Sequence, residues 1–224
     1  MKIGMLGTGM VGDAFATKLV SIGHEVMMGS RTQKNEKAVA WAKKNGPKAQ
    51  AGTFFEAAHF GEMIFNCTKG QYAIDALKLA GEKNLFDKVL IDVSNPLDFS
   101  KGTPPSLFVC NTDSLGEQIQ RTFPKVKVVK ALNTVSCIVS VNPSLIPGDH
   151  NLFVCGNDGA AREKVLGFIC ESFGWNSKNI IDLGNLSNAR ATESILPLWL
   201  RLWGKVTHPI FNLSVVVGQN PEGK

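Results

Sequence analysis

The residues best suited to chemistry come first in the chain. Gly7-Thr8-Gly9-Met10-Val11-Gly12 fits the spacing G-x-G-x-x-G. It follows the apolar run Lys2 to Leu6 and opens a segment in which Val11, Phe15, Leu19 and Ile22 recur at helical spacing. In that context each glycine has a purpose. The first turns tightly, the second lets the backbone approach a pyrophosphate, and the third lets helix and strand pack closely. The helix N-terminus adds free N–H groups and a partial positive charge. Such an arrangement binds a dinucleotide; the alternative is a glycine-rich turn needed for packing alone.

The stretch "GHEVMMGSRTQ", Gly23 to Gln33, reads as a second strand running into a polar loop. An NAD site usually places a carboxylate there for the ribose hydroxyls. This chain has Ser30-Arg31, with Lys34 close behind. A guanidinium can fork a 2′-phosphate and stack on adenine, whereas an acid would repel that phosphate. The expected cofactor is therefore NADP(H). The competing reading leaves Arg31 as a solvated loop residue.

Three further loops should follow strands and face the nicotinamide half of such a ligand: Thr68-Lys69 in "CTKGQY", Asn95-Pro96 in "DVSNPLD" and Asn133-Thr134 in "ALNTVSC". Turn formation and capping are the plain alternatives for these residue types. None of the histidines (His24, His59, His150, His208) falls in these loops, and no Tyr-x-x-x-Lys or Ser-x-x-x-Lys pair lies near them. A hydroxy-acid dehydrogenase needs an acid–base group within reach of the substrate oxygen. Passing a hydride between two planar rings needs mainly proximity and stacking, so no catalytic acid or base is nominated.

The elements that must position these loops are legible as short apolar runs alternating with helical patterns, the signature of βαβ units. Strands are expected at "KIGML", "EVMM", "KAQAGTF", "MIFNC", "KVLIDV" and "VKVVKAL". The last mixes charged with apolar residues and is expected nearer the sheet edge. The turn-rich "SVNPSLIPGD" marks a boundary. Beyond it come "NLFVCG", a helix from Ala160 to Phe173, "NIIDL" and one long apolar helix from Leu186 to about Thr207. The fold class is α/β: a doubly wound, mostly parallel sheet of Rossmann type with a small C-terminal α/β extension. Residues 1–140 form the expected NADP-binding domain. Residues 141–224 are expected to complete the second-cofactor pocket and a dimer contact.

Composition agrees with a soluble globular protein: the chain is 44% hydrophobic and 19% charged, without a low-complexity tract. The net charge of +5 comes from scattered lysines, which suits an anionic small ligand better than nucleic acid. Five cysteines without a C-x-x-C pair argue against a disulfide framework or zinc site. The late run "ILPLWLRLW" is too short and too interrupted to span a bilayer. With a first strand starting at once and no room for a signal peptide, the expectation is a reduced cytoplasmic protein with no membrane partner.

"GTGMVG", "GHEVMMGSR", "DVSNPL", "KALNTV" and above all "DLGNLSNARATESILPLWL" carry a resemblance over nearly the whole chain. It resembles the coenzyme F420-dependent NADP oxidoreductases, and is also similar to the NADPH-binding domain of STEAP-type metalloreductases. The resemblance implies that Thr8 to Val11 meet the pyrophosphate and Ser30-Arg31 the 2′-phosphate. It further implies that Ser187, Asn188 and Arg190 help form a pocket where a deazaflavin or flavin ring stacks on nicotinamide. The archaeal deazaflavin enzymes carry a histidine where this chain has Asn133. That departure, together with "SNARATES", looks more like the metalloreductase branch. The expected second cofactor is therefore F420 or a flavin, FMN or FAD.

Read from the residues alone, Ser187 or Asn188 can instead cap the following helix, with Glu193 in its first turns. Leu196, Leu198, Trp199, Leu202 and Trp203 fit a core or a homodimer interface better than a cofactor box. Two rival functions stand beside hydride transfer: a non-catalytic NADP(H) sensor or scaffold, and a small-substrate NADPH reductase.

Overall fold

The computed structural model describes residues 1–219. Its first half contains strands β1 (Lys2–Leu6), β2 (Glu25–Ser30), β3 (Ala49–Thr53), β4 (Met63–Asn66) and β5 (Val89–Asp92). A small antiparallel hairpin of β6 (Leu97–Asp98) and β7 (Ser106–Leu107) follows, and then β8 (Lys127–Ala131), β9 (Leu152–Gly156) and β10 (Ile180–Asp182). Every residue of β4 and β5 is buried, as expected for strands covered on both faces.

One sheet holds all but the hairpin strands, in the order β10-β9-β8-β5-β4-β1-β2-β3. Its pairings are parallel except that β8 meets β9 antiparallel. The chain lays β2 and β3 to one side of β1, then crosses back to lay β4 and β5 on the other. The crevice beyond the carboxyl ends of β1 and β4 is thus the point where strand order reverses, the place such sheets keep for ligands.

Helices cover both faces, the short α5 (Glu82–Leu85) and α7 (Cys137–Ser140) among them. One apolar core gathers Phe15 and Leu19 of α1 (Met10–Ser21), Trp41 of α2 (Glu36–Asn45) and Phe168 of α8 (Gly159–Phe173). The other lies under α3 (Phe54–Phe60), α4 (Ala73–Ala80) and α6 (Leu115–Thr122). Local signals start these helices: Asn35 accepts from the Ala38 N–H, Ser114 from that of Glu117, and Thr53 with Glu56 forms a reciprocal capping box. Among the described residues no helix is long and apolar enough to cross a membrane.

Two local expectations are corrected. The strand β8 lies inside the sheet, between β5 and β9, rather than near its edge. Its Lys130 is fully buried, yet it pairs with Asp92 and Glu193, so a charged residue is compatible with an interior strand. The single long helix from Leu186 is instead a 3-10 turn (Leu186–Asn188), α9 (Ala189–Ser194) and α10 (Leu196–Val206). The break falls at Ile195, just ahead of Pro197, which has no N–H to continue the ladder and fits the first turn of a new helix.

Candidate functional site

The glycine turn sits at the carboxyl end of β1, and its three glycines differ in what holds them. Gly7 has φ +120°, and a Cβ there would lie 2.7 Å from the carbonyl oxygen of Cys67. A Cβ on Gly12 would come within 2.3 Å of the Gly7 carbonyl oxygen. Both are therefore required by the protein's own packing. Gly9 is different. Its backbone is extended (φ −83°, ψ 178°), and a Cβ there would meet nothing within 4 Å. Gly9 is also the N-cap of α1 and supplies no side-chain cap to its first N–H groups. An open approach to uncapped N–H groups is what a pyrophosphate requires. Thr68 stands alongside, its backbone N 3.3 Å from where the Gly7 Cβ would be, while its hydroxyl donates to Asn66 Oδ1 at 2.7 Å. Lys69 is exposed just beyond.

At the end of β2, Ser30 is buried, and its hydroxyl donates to the Thr32 carbonyl while accepting from the Thr32 N–H. Its first role in the structure is to shape the loop. Arg31 and Lys34 are exposed, and neither makes an ion pair among the described residues. An open groove runs from Thr8 and Gly9 past Asp13 of α1 and past Lys37 and Lys44 of α2, and Arg31 and Lys34 do not line it.

A second hollow, about 240 Å³, begins where the glycine turn ends and shares Met10 and Val11 with it. Its walls are apolar: Val93 beyond β5, Leu132 and Val135 beyond β8, and Leu196, Trp199 and Trp203 from α10. Pro209 lines it too, and Phe211 stacks on Trp199 with ring centroids 5.0 Å apart. Cys137 also lines it; burial pushes its thiol and that of Cys67 up, so neither offers a thiolate. The helix-period spacing of Leu196, Trp199 and Trp203 was the sequence signal for this wall, although it reads more readily as a core or subunit-interface stripe.

Besides Ser136, the polar exceptions are Asn95 and Asn133, which clasp each other. Asn95 Nδ2 donates to the Asn133 carbonyl at 2.9 Å, and Asn133 Nδ2 donates to Asn95 Oδ1 at 3.0 Å. Asn133 Nδ2 also reaches the Thr192 carbonyl at 3.3 Å. Its Oδ1 is buried without a hydrogen-bond partner among the described residues, as are Trp199 Nε1 and Thr134 Oγ1. Buried polar atoms left unpaired cost about 1–3 kcal/mol each unless something supplies the missing bond. Asn133 and Trp199 line the hollow, so a ligand there can do so. Leu132, immediately before Asn133, is buried with φ +61°, a conformation that bulky side chains rarely adopt. Pro96, next to Asn95, is buried and its carbonyl accepts from the Phe108 N–H.

The structure does not bring Ser187, Asn188 and Arg190 to this hollow. Their segment packs through Leu186 and Ala189 into the core on the opposite face of the sheet. Arg190 forms a two-pronged pair with Glu117 of α6, at 2.9 and 2.6 Å. Asn188 Nδ2 donates to the Leu183 carbonyl, and Ser187 Oγ to Asn185 Oδ1. Neither side chain caps α9. Glu193 does not serve its own helix either. It accepts the N–H groups of Leu115 and Gly116 at 2.8 and 3.0 Å, and so caps α6 from across the core.

Known proteins resemble this chain in sequence and fold. Residues 2–96 match the family described as "NADP oxidoreductase coenzyme F420-dependent". The chain is 30% identical to an F420-dependent NADP reductase of Methanocaldococcus jannaschii, over 90% of this chain and 92% of that one. It is 29% identical to metalloreductase STEAP3 of Rattus norvegicus over 88% of its length, but spans only 38% of that protein. A crystal structure from Arthrobacter sp. FB24, described as a candidate F420-dependent NADP reductase, superposes with a TM-score of 0.91 at 44% identity. It covers 97% of this chain and all of that one.

The open space at Gly9 gives a direct test. Replacing Gly9 with Ala should leave the melting temperature within a degree or two, because the new methyl group strikes nothing. Nucleotide binding, followed by calorimetry, should weaken about tenfold or more. Unchanged affinity would show that no phosphate passes over Gly9.

Proposed function

The chain belongs to the F420-dependent NADP oxidoreductase family, and on that premise we propose that it moves a hydride between the nicotinamide of NADP(H) and a deazaflavin ring. NADP-linked oxidoreduction is the shared chemistry of that family. The finer reading, that the acceptor is F420 and not FMN or FAD, is supported by similarity over almost the whole archaeal reductase, against a minority of the metalloreductase. The observation that carries the reading is the apolar hollow that continues from the glycine turn and holds unpaired Asn133 and Trp199 atoms on its walls.

In this reading Gly7 to Val11 receive the pyrophosphate, with Thr68 and Lys69 beside it. Ser30 shapes the loop from which Arg31 and Lys34 meet the 2′-phosphate. When bound, the nicotinamide supplies a hydride with its electron pair and the deazaflavin ring accepts it, the accompanying proton coming from solvent. The residues of this chain provide the rest. Val93, Leu132, Leu196 and Trp199 exclude water, and Asn95 and Asn133 orient ring substituents through their amides. Thr134 supports that loop. Holding two reactants in contact geometry can contribute roughly 7–11 kcal/mol towards the barrier, which accounts for a site without a general acid or base. A non-catalytic sensor would not need to enclose a second ring, and a small-substrate reductase would need an acid–base group that these walls lack.

Residues 141–219 serve the same end, because α10 and Pro209 build one side of the hollow. The outward face of α10 carries Leu198 and Val206 as exposed apolar side chains. We assign it to a homodimer contact.

Three measurements test these assignments. Arg31→Ala should weaken NADPH binding roughly tenfold to hundredfold, the worth of a charge-assisted pair, and leave NADH binding unchanged. Equal losses for both would remove the 2′-phosphate assignment. Titration of F420, FMN and FAD onto the NADP-saturated protein should show tight binding of F420 alone. Selective flavin binding would move the chain to the metalloreductase chemistry. Sedimentation at micromolar concentration should give a dimer that Leu198→Glu converts to monomer, and a wild-type monomer would refute the contact.

A further inference from the structure

Across the sheet from the hollow, in the core under α6, lies a group of charges that binding does not explain. Lys130, Asp92 and Glu193 are 0%, 0% and 1% exposed. Lys130 Nζ sits 2.6 Å from Asp92 Oδ2 and 2.7 Å from Glu193 Oε1, and donates to the Ser94 carbonyl at 2.8 Å. Its hydrogen bond goes to the Ser94 carbonyl, while the two carboxyl groups lie within ion-pair distance. Burial alone would pull the Lys130 pKa down, but the two carboxylates more than offset this and hold it above the ordinary lysine value. The group carries two negative charges and one positive in a dry interior. Charges so enclosed are costly to desolvate, and apolar side chains of similar volume commonly stabilise a fold as well or better. Stability alone is a poor account of them.

Their neighbours in sequence are the pocket residues. Asp92 precedes Ser94 and Asn95, and its Oδ1 accepts from the Ser94 hydroxyl at 2.7 Å and from Asn66 Nδ2 at 2.8 Å. Lys130 leads into Leu132 and Asn133. Glu193 follows Thr192, whose carbonyl accepts from Asn133 Nδ2, and precedes Leu196 on the pocket wall. The ion cluster and the Asn95–Asn133 clasp thus tie together the same three stretches of chain. Between them Leu132 is held at φ +61°. A strained backbone at a buried bulky residue persists only where its surroundings over-determine it.

We propose that Glu193, acting with Lys130 and Asp92, is a positioning residue for the ring pocket. The buried cluster fixes the Leu132 turn and the Asn95–Asn133 amides in the arrangement that receives the two rings. This inference rests on the hydride-transfer reading above.

The test is Glu193→Gln, which keeps the shape and removes one charge, measured beside Asn133→Ala and the double variant. With Glu193→Gln the NADP+ dissociation constant should stay within about twofold, because the phosphate contacts lie elsewhere. The single-turnover rate of hydride transfer should fall roughly tenfold to hundredfold, the scale of a misplaced reactant. Asn133→Ala should show the same split, and the double variant should be no slower than the worse single one. A melting temperature that falls while the rate holds, or losses that multiply in the double variant, would overturn the proposal.

Should Glu193→Gln not fold, the neutral set Asp92→Asn, Lys130→Met and Glu193→Gln replaces it. Wild-type rates from that folded set would equally overturn the proposal. Should the wild type transfer no hydride to any ring, the functional reading fails by itself. The side-chain amide resonances of Asn95 and Asn133 then decide the positioning. They should move in the Glu193→Gln variant or the neutral set, and unmoved signals contradict it.

Discussion

At the start of α1, two glycines are locked by the protein's own backbone and the one between them is not. Gly7 and Gly12 press against carbonyl oxygens, whereas the missing side chain of Gly9 faces open space above uncapped helix N–H groups. This steric difference determines what the molecule can accept. A chain that needed glycine only for its turn would have no reason to leave Gly9 open. The crevice it opens lies where strand order reverses, with β2 on one side of β1 and β4, β5 and β8 on the other. Arg31 and Lys34 follow β2 on the first side, and the apolar hollow opens beyond β5 and β8 on the second.

Those two sides are built on opposite physical terms. The loop after β2 is exposed, and its cations make no ion pair among the described residues, so attraction there is long-ranged and weakened by salt. The hollow is apolar, so its few amide groups act in a low dielectric and count for more. Across the sheet from it, Lys130, Asp92 and Glu193 spend their charges on internal pairing. An exposed cationic loop joined to an apolar hollow suits the proposed reaction, whose main demand is that two flat rings meet.

The fold was legible in the sequence wherever periodicity carried it. Buried strands such as Met63–Asn66 and Val89–Asp92 are unbroken apolar runs, and the helix after the glycine turn shows its buried face at Phe15 and Leu19. Long-range pairing was not legible. Lys130 in "VKVVKAL" reads as a mark of the sheet edge unless Asp92 and Glu193, distant in sequence, are known to meet it. Glu193 reads as a local helix acid, yet it caps a helix that begins at Leu115. The cofactor role of Ser187, Asn188 and Arg190 came from the family resemblance of "SNARATES" and not from residue chemistry, and Arg190 is taken by Glu117. Trp199 reads as core because apolar spacing cannot tell a wall that faces protein from one that faces a cavity.

The central claim is that nicotinamide and deazaflavin meet face to face and exchange a hydride directly. Following deuterium from C4-deuterated NADPH into reduced F420 by mass spectrometry tests it most directly, because the accepting ring position of a deazaflavin is carbon and holds the label. Direct transfer predicts that the deuterium is recovered on that carbon in ordinary water. Reduced F420 carrying solvent hydrogen there, or NADPH oxidation without F420 reduction, would contradict the account.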